Sequence, residues 1–383
     1  MDKLLGNLTL ADLTARKSEK WRSYPPDVLP AFVAEMDFMI AEPIVAAVRA
    51  ALDIGDIGYP WDRELREAFA GFAAGRLGWD VRPDRVFTIP DVMTGIAEIL
   101  LAVTKDGAGV VVNPPVYGPF FLRLSYLGRP VIEAPLRRAD DGDYDLDFEV
   151  LDEALARPDV CAYLLCSPHN PLGRVWRLDQ LLRIAELCER HQAELFVDEI
   201  HAPLALPGAV HIPFASLDHP MAQRAWTFSS ASKGWNIAGL KCGVAVAGSD
   251  AAARVYTDRW EALLPSHLGV LAAAAAYTEA LDWLDAVRHQ LDENRALLAR
   301  LLSEQLPEVG YVPGEASFLA WLDCRKLGLG DLPEKAFLER GRVALTAGTY
   351  FGSQGAGFAR LNIGTSPELV TEAVRRMAAT VGR

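Results

Sequence analysis

The chain has 383 residues, 51% hydrophobic and 23% charged, long enough for two domains around sizeable cores and unlike a disordered or fibrous sequence. Its formal charge of −13 argues against nucleic acid or an anionic membrane surface as partner, because both reward clustered positive charge. A small molecule is the expected ligand. The five cysteines, Cys161, Cys166, Cys188, Cys242 and Cys324, are odd in number and scattered, the pattern of reduced core thiols in a cytoplasmic protein. The first residues lack the apolar core of a signal peptide, and no apolar run reaches membrane-spanning length.

Residues 1–30 are polar and punctuated by prolines, which predicts an arm with little regular structure. A short strand then ends in a turn carrying Ala34, Glu35 and Asp37. A helical pattern over 43–52 leads into Ile57-Gly-Tyr59-Pro60, a rigid turn that displays a tyrosine; on its own this reads as a residue packed by its ring. Between 85 and 247, apolar runs at 85–89, 109–113, 131–134, 161–166, 194–198, 225–228 and 243–247 alternate with amphipathic segments. They predict an α/β fold with a seven-stranded, mostly parallel sheet covered on both faces, binding ligands beyond the carboxyl ends of its strands. Helices are expected over 250–264 and 271–302. A smaller α/β region follows from about 310, with strands at 317–322 and 357–363 and a last helix after Pro367. The expected division is a large domain at 45–280 and a small one made of 1–44 and 281–383.

The loops after the predicted strands hold the chemistry. Pro90-Asp-Val92-Met93 opens a helix whose first N–H groups suit a phosphate, so Asp91 should point away or cap the helix. Asn113-Pro-Pro-Val-Tyr117-Gly-Pro is a stiff turn presenting a ring able to stack on a heteroaromatic group. In Ser167-Pro-His-Asn170-Pro-Leu-Gly-Arg174 the prolines aim the Asn170 amide. No histidine or cysteine stands at ligand spacing from His169, so no metal is expected. Asp198 ends a buried strand, where a carboxylate is costly unless paired, and His201 follows it. Lys233 is crowded by Ser230, Ser232, Trp235 and Asn236; desolvation lowers a lysine pKa, and the neutral amine attacks aldehydes. Arg360, after a glycine-rich loop, suits bidentate pairing with a carboxylate. A purely structural Arg360 would need an acidic partner that the sequence does not identify.

Ser230-Ala-Ser-Lys233 with Asn236-Ile-Ala-Gly-Leu, Pro-Val-Tyr117, Asn170-Pro-Leu-Gly, Asp198-Glu-Ile-His201 and Arg360 together resemble the fold-type I pyridoxal-phosphate enzymes, the aspartate aminotransferase-like class I/II family. Ala34-Glu35-Met-Asp-Phe and the Asp-Glu-Ile-His turn resemble its cystathionine β-lyase-like carbon–sulfur lyase branch. The resemblance implies that Lys233 bonds to the cofactor aldehyde and acts as the base. It implies that Asp198 keeps the pyridine nitrogen protonated, that Asn170 and His201 contact the phenolic oxygen, and that Tyr117 stacks on the ring. The backbone of Val92 and Met93, with Ser230, Ser232 and Lys241, would bind the phosphate. Tyr59 would cross to the phosphate of a second subunit, making a homodimer with shared sites. Arg360 and Asn170, with the backbone of Ala34 and Glu35, would hold the substrate carboxylate. The chain departs from the family at Asp91, where glycine is usual, at Lys241, where arginine is, and at Pro203-Leu204, where the branch has Asp-Leu. The implied reaction is α,β-elimination of an L-cysteine S-conjugate to thiol, pyruvate and ammonia. Transamination is the second reading. Decarboxylating or oxidative chemistry, or a regulatory partnership with a transcription activator, also stays open.

Overall fold

The structure, a computed structural model, describes residues 3–6, 8–257 and 260–382. All seven expected strands form and share one sheet: β1 (Val86–Ile89), β2 (Gly109–Val112), β3 (Val131–Glu133), β4 (Val160–Cys166), β5 (Glu194–Asp198), β6 (Trp226–Ser229) and β7 (Gly243–Ala247). Their order is β1-β7-β6-β5-β4-β2-β3, and β7 alone runs antiparallel to both of its neighbours.

Alternate side chains of the central strands go to opposite faces, and both faces are covered. Leu164, Cys166, Phe196 and Phe228 pack with the helix Val92–Val103, while Tyr163, Leu165, Leu195 and Val197 pack with the helix Leu178–Arg190. Burial on both faces explains why these strands read as continuous apolar runs. The parallel strands end together, so the loops carrying Tyr117, Asn170, Asp198 and Lys233 converge at one rim of the sheet.

The helix expected over 271–302 is two helices, His267–Glu279 and Leu281–Gln305, broken at Ala280. Trp235 Nε1 donates to the Ala280 carbonyl at 2.9 Å, a contact from a distant segment that no local pattern announces. The alanine run is buried between the helices Glu42–Asp53 and Arg63–Leu77, where small side chains permit close approach. The helix expected over 250–264 is Asp250–Thr257 and a 3-10 turn at Trp260–Leu263, with 258 and 259 outside the described residues.

A second sheet contains β8 (Gly310–Tyr311), β9 (Leu319–Asp323), β10 (Thr346–Ala347) and β11 (Phe358–Asn362) in the order β8-β9-β11-β10, backed by the helix Pro367–Thr380. The N-terminal arm has more structure than its composition suggests. It carries short helices at Leu10–Thr14 and Glu19–Arg22, the first closed by a Thr9–Asp12 capping box. Leu29–Pro30 then pairs in parallel with Val343–Ala344. The arm is held by a buried ion pair, Lys20 to Asp37 at 2.7 Å, to which Trp21 Nε1 adds a hydrogen bond. Among the described residues no helix is long and apolar enough to cross a membrane.

Candidate active site

The loops at the rim enclose a cavity of about 320 Å³. Lys233, Asp198, His201, Asn170, Tyr117, Val92, Met93, Ser230, Ser232, Lys241 and Ala34 all line it, so residues scattered over two hundred positions meet as expected. A smaller cavity of about 230 Å³, between Arg174 and Trp321, contains none of them.

The deep wall is a set of polar groups taken out of water. Asp198 is 3% exposed, and its carboxylate accepts one hydrogen bond, from the Ile200 amide at 3.0 Å. Burial, aided by Glu199, pushes its pKa up to about 7 against the pull of the Ile200 amide and Lys233. His201 is as buried, and its Nδ1 has no partner. Burial and the charges of Lys233 and Arg360 lower its pKa to about 3, which keeps the imidazole neutral. Burial and Asp198 raise the Tyr117 phenol, which therefore stays protonated. Lys233 reaches the cavity from the short helix Ala231–Gly234, and its ammonium donates to the Ala34 carbonyl at 2.9 Å. Desolvation first, then Arg360, lower its pKa to about 8, partly offset by Asp198 and Glu35.

Asn170 is fixed by a tight turn in which the His169 amide donates to Arg174 and Gly173 donates to His169. Gly173 has φ +68°, and a Cβ there would lie 2.5 Å from the Ala316 carbonyl, so both conformation and space require glycine. Behind the turn, Arg360 donates to Asn170 Oδ1 at 3.3 Å, to the Phe32 carbonyl at 2.9 Å and to Thr346 Oγ1 at 3.2 Å. These acceptors are all neutral, and Arg360 Nε is buried without a partner. Burial lowers its pKa only to about 10, so the guanidinium stays charged, and among the described residues it has no carboxylate partner. Arg360 does not itself line the cavity; it reaches it through Asn170, which does.

At the mouth, Asp91 caps its helix, one of the two alternatives expected of it, but it does not point away: it lines the cavity. It caps the helix Val92–Val103 by accepting from the Thr94 amide at 2.8 Å, and its other oxygen meets Lys241 Nζ at 2.6 Å. The first-turn amides of Val92 and Met93 have no acceptor within their own helix. Ser230 is committed to the turn: its hydroxyl donates to the Cys242 carbonyl and its oxygen accepts from the Ser232 amide. Among the described residues the Ser232 hydroxyl makes no hydrogen bond, so it is the freer serine. Tyr59 is 90% exposed and lies outside this chain's own cavity.

Glu35 departs from the expectation. Its amide donates to Val33, its carbonyl accepts from Lys20 and Asn362, and its carboxylate accepts from Ser18, so neither backbone group is offered to the cavity. The physical reason is the way the 33–37 loop is anchored. Asn236, at φ +59°, binds the amide and carbonyl of Met36 with its side chain at 2.7 and 2.8 Å. Asn362 Nδ2 holds the carbonyls of Val33 and Glu35. Both asparagines escaped notice as positioning residues because their partners lie hundreds of positions away. Arg123 and Cys166 also line the cavity without a motif to signal them, and Ile200 and Ala238 line it from within motifs whose other residues drew the attention.

The donor set fits pyridoxal phosphate. A buried carboxylate short of a cationic partner suits the pyridine nitrogen, an unsatisfied neutral imidazole faces the same space, and unpaired helix amides stand at the opposite end.

Comparison with known proteins agrees. Residues 44–377 match the family model for aminotransferase class I and II. A protein of Mycobacterium leprae (strain TN) is 43% identical, covering 97% of this chain and 97% of its own. The cystathionine beta-lyase PatB of Bacillus subtilis (strain 168) is 37% identical, covering 93% of each chain. The solved structure of cystalysin from Treponema denticola, which contains pyridoxal 5'-phosphate, superposes with a TM-score of 0.92 at 28% identity and 98% coverage of both chains. The chain belongs to the aminotransferase class I and II family, with the fold-type I architecture of its pyridoxal-phosphate enzymes.

Proposed function

We propose that this chain is a pyridoxal-phosphate-dependent carbon–sulfur β-lyase that cleaves L-cysteine S-conjugates such as cystathionine. The observation that carries the chemistry is Lys233, an amine with its pKa lowered to about 8, sharing one cavity with the buried Asp198 and backed by an arginine that lacks a carboxylate. Similarity to named cystathionine β-lyases supports elimination over transamination.

Pyridoxal phosphate, when bound, supplies an electron sink for the pair left at Cα after proton removal. Arg360 and Asn170 fix the substrate's α-carboxylate and so orient the Cα–H bond. Lys233 Nζ takes that proton as general base, and the resulting ammonium can return it to the departing sulfur. Asp198 would hold the ring nitrogen as an ionised carboxylate, and the neutral His201 would offer a hydrogen bond to the phenolic oxygen. The C–S bond breaks with the thiol as leaving group, and the remaining enamine takes up one water to give pyruvate and ammonia. No 2-oxo acid enters this balance. Supplying cystathionine alone and following pyruvate and free thiol over many turnovers tests the reading. A single stoichiometric burst that resumes only when a 2-oxo acid is added would replace it with transamination.

The same reading makes the chain a cytoplasmic homodimer, with 45–280 as the large domain and 1–44 plus 281–383 as the small one. Leu52, Ile54, Ile57, Tyr59 and Trp61 form a run of exposed apolar side chains, which supports a covering second subunit and Tyr59 as its contribution to the neighbouring phosphate. Sedimentation of the purified protein as a monomer at micromolar concentration would remove that assignment.

A further inference from the structure

We infer that Arg123 supplies the cofactor phosphate with the positive charge that Asp91 cancels at Lys241. The inference rests on the cofactor reading above and concerns how this chain compensates for an acidic residue at its phosphate pocket.

Asp91 sits where the phosphate must approach. It caps the helix whose first amides would hold the phosphate, and it pairs with Lys241 at 2.6 Å. Burial raises its pKa, but the bonds from Lys241 and Thr94 outweigh that and hold it below the usual carboxylate range. Asp91 is therefore ionised at neutral pH. A phosphate ester carries close to two negative charges there. Asp91 and Lys241 together contribute no net charge, so what this pair's end of the cavity offers a phosphate is reduced to the partial charges on helix amides and hydroxyls.

One further cation, half-buried, reaches this cavity. Arg123 lines it from the helix Pro119–Tyr126, and among the described residues its guanidinium has neither a hydrogen bond nor an ion pair. Its place on the helix sets its direction. Phe120 and Leu124 are buried in the core, and Phe121 stands beside Gly352, where an added Cβ would come within 3.0 Å of its ring. Two residues on, Arg123 leaves the helix about 200° round from Phe121, away from the 348–355 segment. That helix packs against Val92–Val103, and Arg123 shares the cavity lining with Asp91, Val92, Met93 and Lys241. An arginine without an acid, lining the same cavity as a carboxylate that has taken the expected lysine, restores the net positive charge a phosphate needs.

The test measures cofactor affinity rather than turnover. Cofactor-stripped wild type, Arg123→Gln, Arg123→Lys, Asp91→Asn and the Asp91→Asn/Arg123→Gln double variant are titrated by equilibrium dialysis with pyridoxal phosphate. Pyridoxal, which lacks the phosphate, is the control probe. Arg123→Gln should weaken pyridoxal phosphate about tenfold or more and leave pyridoxal unchanged, and Arg123→Lys should recover most of the loss. Asparagine caps a helix as well as aspartate does, so Asp91→Asn removes charge without removing the cap. It should tighten pyridoxal phosphate several-fold and shrink the penalty of Arg123→Gln in the double variant. Equal weakening of both probes by Arg123→Gln would overturn the inference. So would unchanged pyridoxal phosphate affinity accompanied by a raised KM, which would assign Arg123 to the substrate. If Arg123→Gln fails to fold, an Asp91→Asn affinity no tighter than wild type still overturns it. Wild type that takes up no pyridoxal phosphate would instead remove the cofactor reading itself.

Discussion

The two ends of the cavity are built on different physical terms. The deep wall of Asp198, His201 and Asn170 is almost wholly out of water and belongs to one chain, and burial pushes Asp198 up to about 7 and His201 down to about 3. The mouth is open: the Lys241 side chain is 58% exposed, Tyr59 reaches outward, and the Asp91–Lys241 pair lies where water screens it. Charges are strong where the dielectric is low, and a chain holding them there without their ligand is less stable for it. The wall is therefore suited to perturbing bonds, and the mouth to admitting and holding a charged handle.

If that contrast is right, substitutions at the wall should act on chemistry by large factors. Lys233→Ala should lower cystathionine turnover by about 10⁴-fold, because a positioned base and the covalent attachment point go together. Borohydride reduction of the loaded wild type should fix the cofactor to Lys233, read by peptide mass spectrometry; label on another lysine would show that the wall has been misplaced. Arg360→Ala comes next. Removing one partner of a buried charge-assisted pair costs about 2–5 kcal/mol, so kcat/KM should fall roughly 30- to 1000-fold or more, mostly through KM. Cofactor affinity measured by dialysis should stay within about twofold, because none of the arginine's contacts belongs to the mouth.

The wall was also the part most legible in the sequence. Asp198 ends, and Asn170 closely follows, a strand that is apolar on both faces, so the strand announces itself and the polar residue at its end stands out. The glycine and prolines around Asn170 are local requirements of backbone geometry and can be read locally. The seven-stranded sheet was readable for the same reason. What escaped is set by contacts across the chain. The break at Ala280 depends on Trp235, the orientation of Glu35 on Lys20, Asn236 and Asn362, and the partner of Lys241 on a residue 150 positions earlier. Arg123 lies on a helix flank with no motif around it, and only the folded cavity shows where it points.

A stability measurement can sharpen the contrast without any substrate. In the folded chain Asp198 titrates near pH 7, against an ordinary value of 3.8, so between those values the folded state holds a proton that the unfolded state has released. Stability must therefore fall as pH rises across that window, and the penalty is full above about pH 7. Asp198→Asn removes this titration. The cofactor-free variant should match wild type near pH 4 and exceed it by about 2–4 kcal/mol at pH 7.5, measured by urea unfolding. Asp198 also holds up the Lys233 pKa of about 8, so its removal lowers that pKa further and offsets part of the gain at pH 7.5, while leaving the comparison near pH 4 unaffected. A difference independent of pH would mean that Asp198 is not held in the strained state the wall requires.

The smallest effect is expected at the mouth. Lys241 and Asp91 are close enough for a strong bond, yet more than half of the lysine side chain is in water, and exposed pairs contribute about 0–1 kcal/mol because solvent and side-chain entropy offset the attraction. Lys241→Ala also leaves the Asp91 cap on Thr94 in place, so the helix Val92–Val103 keeps its start. Urea unfolding of the cofactor-free variant at neutral pH should therefore differ from wild type by less than about 1 kcal/mol, and the difference should shrink further in 1 M salt. Pyridoxal phosphate binding should fall in the same variant, since Lys241 has a role at the mouth only when a phosphate is there to share it. Destabilisation well above 1 kcal/mol that persists in high salt would show that the Asp91–Lys241 pair is built like the wall. The phosphate would then meet a fixed ion pair in place of an adaptable one.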